Sequence, residues 1–315
     1  MTGSQKIYLV FERFKVVKKN IIKIYVRIRN TKFTVYKPKL TDVLIADKRC
    51  GKEAVELFFH RYNYEYLDIR LEEINIYVLI ITLIRYGYKE LRINYINCSI
   101  NLANPKVVFC LYENNWSLYK SPNKTYNYKL IISQLAVMYG DSWNYWYDNK
   151  NEPIKCDYFL TNSNHSEKFL SKFIQTEYLK VGSFKLNAYL ANLPLQGQSG
   201  ICFISEYREN SDRNVKSHCH SYRIVTDICK ENNIRLSIAF ASSRKDKTLR
   251  YNDEREFYRK IYDKFEYSSE SSYIFSVRSN TIVCMSSNLG LELISLGYKV
   301  FFLDTRYSLG KRVNG

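Results

Sequence analysis

Proline and glycine are scarce in this chain, five and eleven in 315 residues, which argues against long disordered tracts. With 46% hydrophobic and 16% aromatic residues, the composition is that of a globular protein with a large core. The eight cysteines contain no CxxC pair and no tight framework, which excludes a disulfide scaffold and suits reduced, buried thiols of a cytosolic protein. The one metal-like grouping is His218-Cys219-His220 with Cys229 further on. Adjacent residues cannot easily all face one ion and a second compact pair is missing, so no metal is expected. No glycine-rich phosphate motif is present either: Gly51 stands alone where GxGxxG or a P-loop would need several. The longest apolar run, residues 76–84, stops at Arg85, far short of the roughly 20 residues that a spanning helix requires.

Acidic residues are the other shortage. Against 48 Lys and Arg stand 31 Asp and Glu, a formal charge of +17, so polyanions are the expected partners. The first forty residues carry eleven Lys or Arg and a single acid, Glu12, which predicts peripheral contact with an anionic membrane surface through this segment. Nucleic acid is a weaker candidate, because no recognised motif occurs and the 29 tyrosines are scattered rather than lined up as a stacking platform.

At 37.5 kDa the chain exceeds what one hydrophobic core usually serves, so two domains are expected. Apolar runs and helical patterns alternate along it. The run at 41–46 (TDVLIA) meets a polar tip, Asp47 to Lys52, and then a helix at 53–61. Further strands are expected at 65–69, 106–112, 129–133, 156–161 and 179–183, with helices at 74–86, 114–119 and 165–174. Residues 192–200 (NLPLQGQSG) gather one proline and two glycines and are the expected linker between domains at 1–191 and 201–315. Beyond it the pattern resumes with strands at 201–206 and 234–241 and helices at 215–232 and 253–265. The last unit is 281–304: an apolar run, the tip Ser286-Ser287-Asn288, a helix closed by Gly297, and a second apolar run. Such strand, tip and helix units place backbone N–H groups at the carboxyl edge of a parallel sheet, where phosphates and sugars bind; the tip residues serve equally as ordinary helix caps. The predicted fold is α/β, two Rossmann-like doubly wound domains. Only twelve residues follow Leu303, where such a sheet normally carries a further helix, so the C-terminal domain is expected to be incomplete.

Several segments, in order, carry a resemblance: TDVLIAD (41–47), YLDIRLEEINIYVLI (66–80), CDYFL (156–160), VGSF (181–184), CFISEYRE (202–209) and SSNLGLELISLGYKVFF (286–302). Together the chain resembles the GT-B group of glycosyltransferases, two domains facing a cleft. More narrowly, it resembles bacterial O-antigen and capsule biosynthesis proteins distantly akin to sialyl- and Kdo-transferases. The resemblance implies transfer of a sugar from a nucleotide-sugar donor, CMP- or UDP-linked, to a glycan or lipid-linked acceptor. It also implies work at the inner face of the cytoplasmic membrane, with no cofactor and no metal. On the donor side it implies Ser205, Tyr207, Arg208, Ser286, Ser287, Gly290 and Glu292, with Arg208 stabilising phosphate charge and Glu292 bonding ribose or sugar hydroxyls. A general base for the acceptor is sought among first-domain carboxylates. Asp47, at a strand end beside Gly51, is the first candidate and Asp141 the second, with Arg49, Gly51 and Lys52 on the acceptor side. At the strand end near Ser133 the chain reads Gln134-Leu135-Ala136, where the resemblance implies a Gln-Asn-Gly type of turn. A non-catalytic homologue in the same pathway is the alternative.

Overall fold

The computed structural model describes residues 31–47, 52–69, 72–120, 128–135, 154–193, 197–207, 212–240, 248–303 and 305. These fall in two compact units that divide between Val181 and Gly182.

In the first unit, the short strand β1 (Lys32–Thr34) pairs, among the described residues, with β4 (Glu73–Asn75). The main sheet has six parallel strands: β2 (Val43–Ala46), β3 (Tyr64–Leu67), β5 (Val107–Cys110), β6 (Lys129–Ser133), β7 (Ile154–Thr161) and β8 (Ile174–Lys180). Their spatial order is β3-β2-β5-β6-β7-β8. The apolar strings VLIA and VVFC suit central strands covered on both faces, as parallel sheets require. Among the described residues the unit's helices are α1 (Lys52–Phe59), α2 (Ile76–Tyr86), α3 (Leu91–Ala103), α4 (Trp116–Tyr119) and α5 (Asn164–Leu170). The chain winds outward from β2 to β3, then returns to the other side of β2 through α2 and α3 to reach β5. The direction of winding therefore switches between β2 and β5.

The second unit holds α6 (Phe184–Tyr189), a short 3-10 turn (Leu190–Asn192), β9 (Gln198–Ile204), α7 (Asp212–Glu231), β10 (Leu236–Ala239), α8 (Thr248–Arg259), β11 (Glu266–Tyr267), α9 (Ser272–Ser276), β12 (Ser279–Cys284), α10 (Asn288–Ile294) and β13 (Lys299–Phe302). Its five parallel strands run β11-β10-β9-β12-β13, a doubly wound order with its switch point between β9 and β12. Alternation along the strands divides the core in two. Cys202, Ile204, Ile282 and Cys284 face Phe275, Leu289 and Leu293 of α9 and α10. Phe203, Ile238 and Val283 face the opposite side, with Tyr222 and Val225 of α7 and Tyr258 of α8.

The expected linker at 192–200 is placed differently by the structure. Asn192 closes the 3-10 turn and Gln198 to Gly200 already belong to β9, the strand at the middle of the sheet. The glycines answer to close backbone approach instead of flexibility. A β-carbon on Gly197 would lie 2.6 Å from the carbonyl carbon and oxygen of Ser279, and Gly200 (φ +140°) backs onto the Arg235 carbonyl. The contact division at 181/182 likewise precedes the expected end of the first domain at 191, and α6 joins the second unit. Gly197→Ala should therefore cost roughly 1–3 kcal/mol, the scale of overpacking a tight site. The check is urea unfolding, and an unchanged midpoint would mean that residue 197 behaves as linker.

Candidate functional site

Strand β9 ends at Ile204 and β12 at Cys284, side by side at the switch point of the second unit. The two tips are joined by one carboxylate. Glu206 Oε1 accepts the backbone N–H groups of Met285 (3.1 Å) and Ser286, and its Oε2 accepts the Ser286 hydroxyl (2.7 Å). Those amides sit where the chain turns from strand into α10, the position at which an α/β sheet offers donors to an anion. Here the chain's own carboxylate takes them.

Beneath this clasp lies a buried polar chain. Ser205, at the end of β9, donates its hydroxyl to Glu254 on α8 and accepts from the Tyr207 amide (3.2 Å). The Tyr258 hydroxyl, one helical turn along from Glu254, lies between Ser205 Oγ (2.7 Å) and His218 Nε2 on α7, so its single proton serves one of them at a time. His218 Nε2 also faces the Glu206 amide (3.2 Å), and Nδ1 faces Met285 Sδ (2.9 Å). A backbone N–H can only donate. Nε2 is therefore the accepting nitrogen, and the neutral ring carries its proton on Nδ1 toward sulfur. His218, Glu254 and Tyr258 are all essentially inaccessible to solvent. Together they hold the β9 tip in the shape that presents Glu206 to β12, and they supply a hydrogen-bonded path between Glu254 and His218.

A second feature lies on α10. Glu292 is 5% exposed, and its Oε1 accepts the hydroxyl of Ser183, the N-cap of α6 (2.7 Å). Its Oε2 is buried with no hydrogen-bond partner, as is Oδ1 of Asn288, one turn earlier on the same helix face. Tyr273 approaches this carboxylate as a hydrogen-bonding hydroxyl that lowers its pKa, without reaching full hydrogen-bond geometry at Oε2. Burial pushes the Glu292 carboxyl above its ordinary pKa, with Ser183, Tyr273 and Lys185 opposing.

The residues expected from sequence are thus distributed as follows. Ser205, Tyr207 and Ser286 do meet at the switch point. Ser205, however, is buried against Glu254 instead of open to a ligand, and the donors of Ser286 are taken by Glu206. Tyr207 packs on Phe257, ring centroids 4.5 Å apart. Ser287 is the N-cap of α10 but makes no side-chain cap bond. At Gly290 a β-carbon would lie 2.5 Å from Cys284 Sγ and 3.2 Å from Phe302, so the glycine serves helix-to-sheet packing. In the first unit, Asp47 follows β2 at the other switch point with φ +74°, and it is 3% exposed, which buries the first candidate base. Lys52 is exposed at the start of α1 and pairs with Glu56 (3.6 Å). Arg49, Gly51, Asp141 and Arg208 lie outside the described residues. Gln134 is fully buried between strand ends, where it accepts from Thr161 Oγ1 and the Asn162 amide and donates to Ser166.

Sequence reasoning missed Glu206, Glu254 and Tyr258, and met His218 only as part of a metal-like grouping. Glu254 and Tyr258 are four apart in a helix, and His218, Ser221, Tyr222 and Val225 form the buried stripe of α7. That spacing was the available signal. Burial lowers the His218 pKa from its ordinary 6.5 to about 4. Because the folded state takes up its proton later than the unfolded chain, the stabilisation is complete above pH 6.5 and is lost as the pH falls from 6.5 toward 4. The loss should be roughly 3 kcal/mol in urea unfolding, at about 1.4 kcal/mol per pH unit. His218→Gln should flatten that part of the profile, and an unchanged slope would mean that His218 does not titrate as a buried base.

A model for the family described as "putative O-antigen biosynthesis protein" matches residues 130–314, more than half of the chain. No curated protein matches the sequence. Among solved structures, the S. aureus MnaA-UDP co-structure aligns at 12% identity and TM-score 0.50, covering 87% of this chain and 80% of that one. The UDP-GlcNAc 2-epimerase from Neisseria meningitidis bound to UDP-GlcNAc aligns at 13% and 0.49, over 83% and 81%. The wall teichoic acid polymerase TagF aligns at 11% and 0.44, over 96% and 82%. At these identities the likeness speaks to fold, and only the first reaches the score at which it carries weight. The two parallel α/β sheets are of the GT-B kind, and the chain belongs to this O-antigen biosynthesis family.

Proposed function

We propose that the protein is a glycosyltransferase of surface-carbohydrate assembly that holds a nucleotide-sugar donor in its second unit. The observation that carries this reading is the pair of buried oxygens on α10. Asn288 Oδ1 has no donor and Glu292 Oε2 none in full hydrogen-bond geometry, with Tyr273 the hydroxyl beside it; the two oxygens lie one helical turn apart, just beyond the carboxyl end of β12. Leaving such groups unpaired costs about 1–3 kcal/mol each, and neighbouring hydroxyls of a ribose or sugar would supply both missing donors. The S. aureus neighbour is a UDP co-structure, and in doubly wound folds ligands bind at the carboxyl ends of the strands beside the switch point, where these oxygens lie. In the transfer, an acceptor hydroxyl attacks the anomeric carbon, the bond from that carbon to the donor phosphate breaks, and a base takes the hydroxyl proton. Asp47 and Asp141 are the candidates for that base. Arg208 is the candidate for stabilising the departing diphosphate in place of a metal. Work from the cytoplasm is part of the same reading.

One observation favours a second reading, a non-catalytic homologue that binds sugar nucleotides. Glu206 fills the amides that a diphosphate would otherwise use, so a donor must either displace this carboxylate or bind beside it. Calorimetry with UDP- and CMP-linked sugars, followed by a hydrolysis or transfer assay, separates the two. Glu292→Gln keeps the side-chain shape and removes the charged acceptor, so donor affinity should fall about tenfold or more. Glu206→Ala should tighten binding if its carboxylate competes with phosphate. Parent-like affinity in Glu292→Gln would remove the basis for placing the nucleotide at α10, and binding without turnover would favour the second reading.

A further inference from the structure

Helix α2 has two apolar faces. Its inner face is accounted for: Val78 packs with Tyr95 and Cys98 of α3, flanked by Ile74 and Ile81. The outer face is not. Ile80 (51% exposed), Leu83 (43%) and Ile84 (78%) recur at helical spacing, and Tyr88 (89%), just past the C-cap Gly87, continues the stripe. All eight residues from 83 to 90, the last turn of α2 and the connection to α3, are exposed, so the stripe ends on an open surface. A helix apolar on all sides is normally enclosed by protein or by lipid. With eleven residues, α2 is far too short to span a bilayer, and no helix among the described residues is long and apolar enough to do so.

The charges around this surface identify the phase that covers it. Arg85 and Lys89 flank the stripe, and Glu90 is the one acidic residue among positions 83 to 90, on a chain whose formal charge is +17. Aliphatic side chains flanked by tyrosines and cations are the combination that lies in the headgroup layer, with rings at the interface and cations on lipid phosphates. We propose that the α2–α3 turn docks the first unit on an anionic lipid bilayer by inserting Ile84 and Tyr88. This surface is separate from the basic opening segment, most of which lies outside the described residues, and the inference does not depend on how the second unit uses Glu292.

Vesicle co-sedimentation of the full chain tests it, with vesicles of phosphatidylcholine alone and of phosphatidylcholine mixed with phosphatidylglycerol. The parent should bind the anionic vesicles and lose binding as salt rises. Ile84→Asp combined with Tyr88→Asp should reduce binding about tenfold or more, since apolar burial of one isoleucine is of that order. Arg85→Glu with Lys89→Glu should act only on the anionic vesicles. Both sets lie at exposed positions, so circular dichroism should match the parent, and Ile84→Ser serves if the double variant does not fold. Parent-like binding by the apolar variant, or no binding of the parent to either vesicle, would overturn the proposal. So would a parent that ignores lipid but is dimeric while the apolar variant is monomeric, because a second copy would then cover the stripe.

Discussion

The arrangement of the second unit depends on a single carboxylate. Glu206 reaches from the end of β9 to the two amides and the hydroxyl at the end of β12, where the sheet changes its direction of winding. Charge-assisted bonds to backbone N–H groups are roughly twice as strong as neutral ones. They tie together two strand tips that β pairing alone would leave to fray. Beneath them, Ser205, Glu254, Tyr258 and His218 form a path with no access to water, and each member restrains the next. An unpaired polar group in such surroundings is expensive, which makes the whole set hold or fail together.

This constraint also shapes what the unit can bind. A strand-to-helix turn with free amides would accept a phosphate with no further adaptation, but here the turn is already satisfied. Unsatisfied polar atoms do lie on α10 just beyond it, Oδ1 of Asn288 and, one turn further, Oε2 of Glu292. On the proposed reading, hydroxyl recognition would come more readily than anion recognition, and a donor phosphate would have to compete with Glu206 or lie to one side of it. A family placement in O-antigen biosynthesis is compatible with either catalysis or binding on these terms.

The α/β class and the final strand, tip and helix unit were legible in the sequence, because buried parallel strands such as VLIA and SNTIVC are short apolar strings that periodicity detects. Elements whose signal is tertiary were harder. The sequence LRINYINCSINLA carries three asparagines and a weak apolar stripe, yet six residues of α3 are buried, Tyr95 and Cys98 among them against Val78 of α2. The edge strand β8 begins at Ile174, inside the stretch expected to be helical, because its alternating burial leaves little apolar content to read. The supposed linker was a misreading of glycines placed for close backbone approach at Ser279 and Arg235. At the site, Ser286 and Glu292 could be picked out by position. Glu206, His218 and Glu254 could not, since their roles depend on which strand ends become neighbours, and a strand order of β11-β10-β9-β12-β13 is not written in local periodicity.

The central claim is that the carboxyl ends of β9 and β12 with α10 form the ligand site of this protein. Hydrogen exchange followed by mass spectrometry, with and without a nucleotide-sugar donor, tests it most directly. The account predicts new protection in the segments 201–207 and 281–294, with the amides of Met285 and Ser286 already slow in the free protein because Glu206 holds them. Protection confined to the first unit, or rapid exchange at Met285 and Ser286 in the free protein, would contradict it.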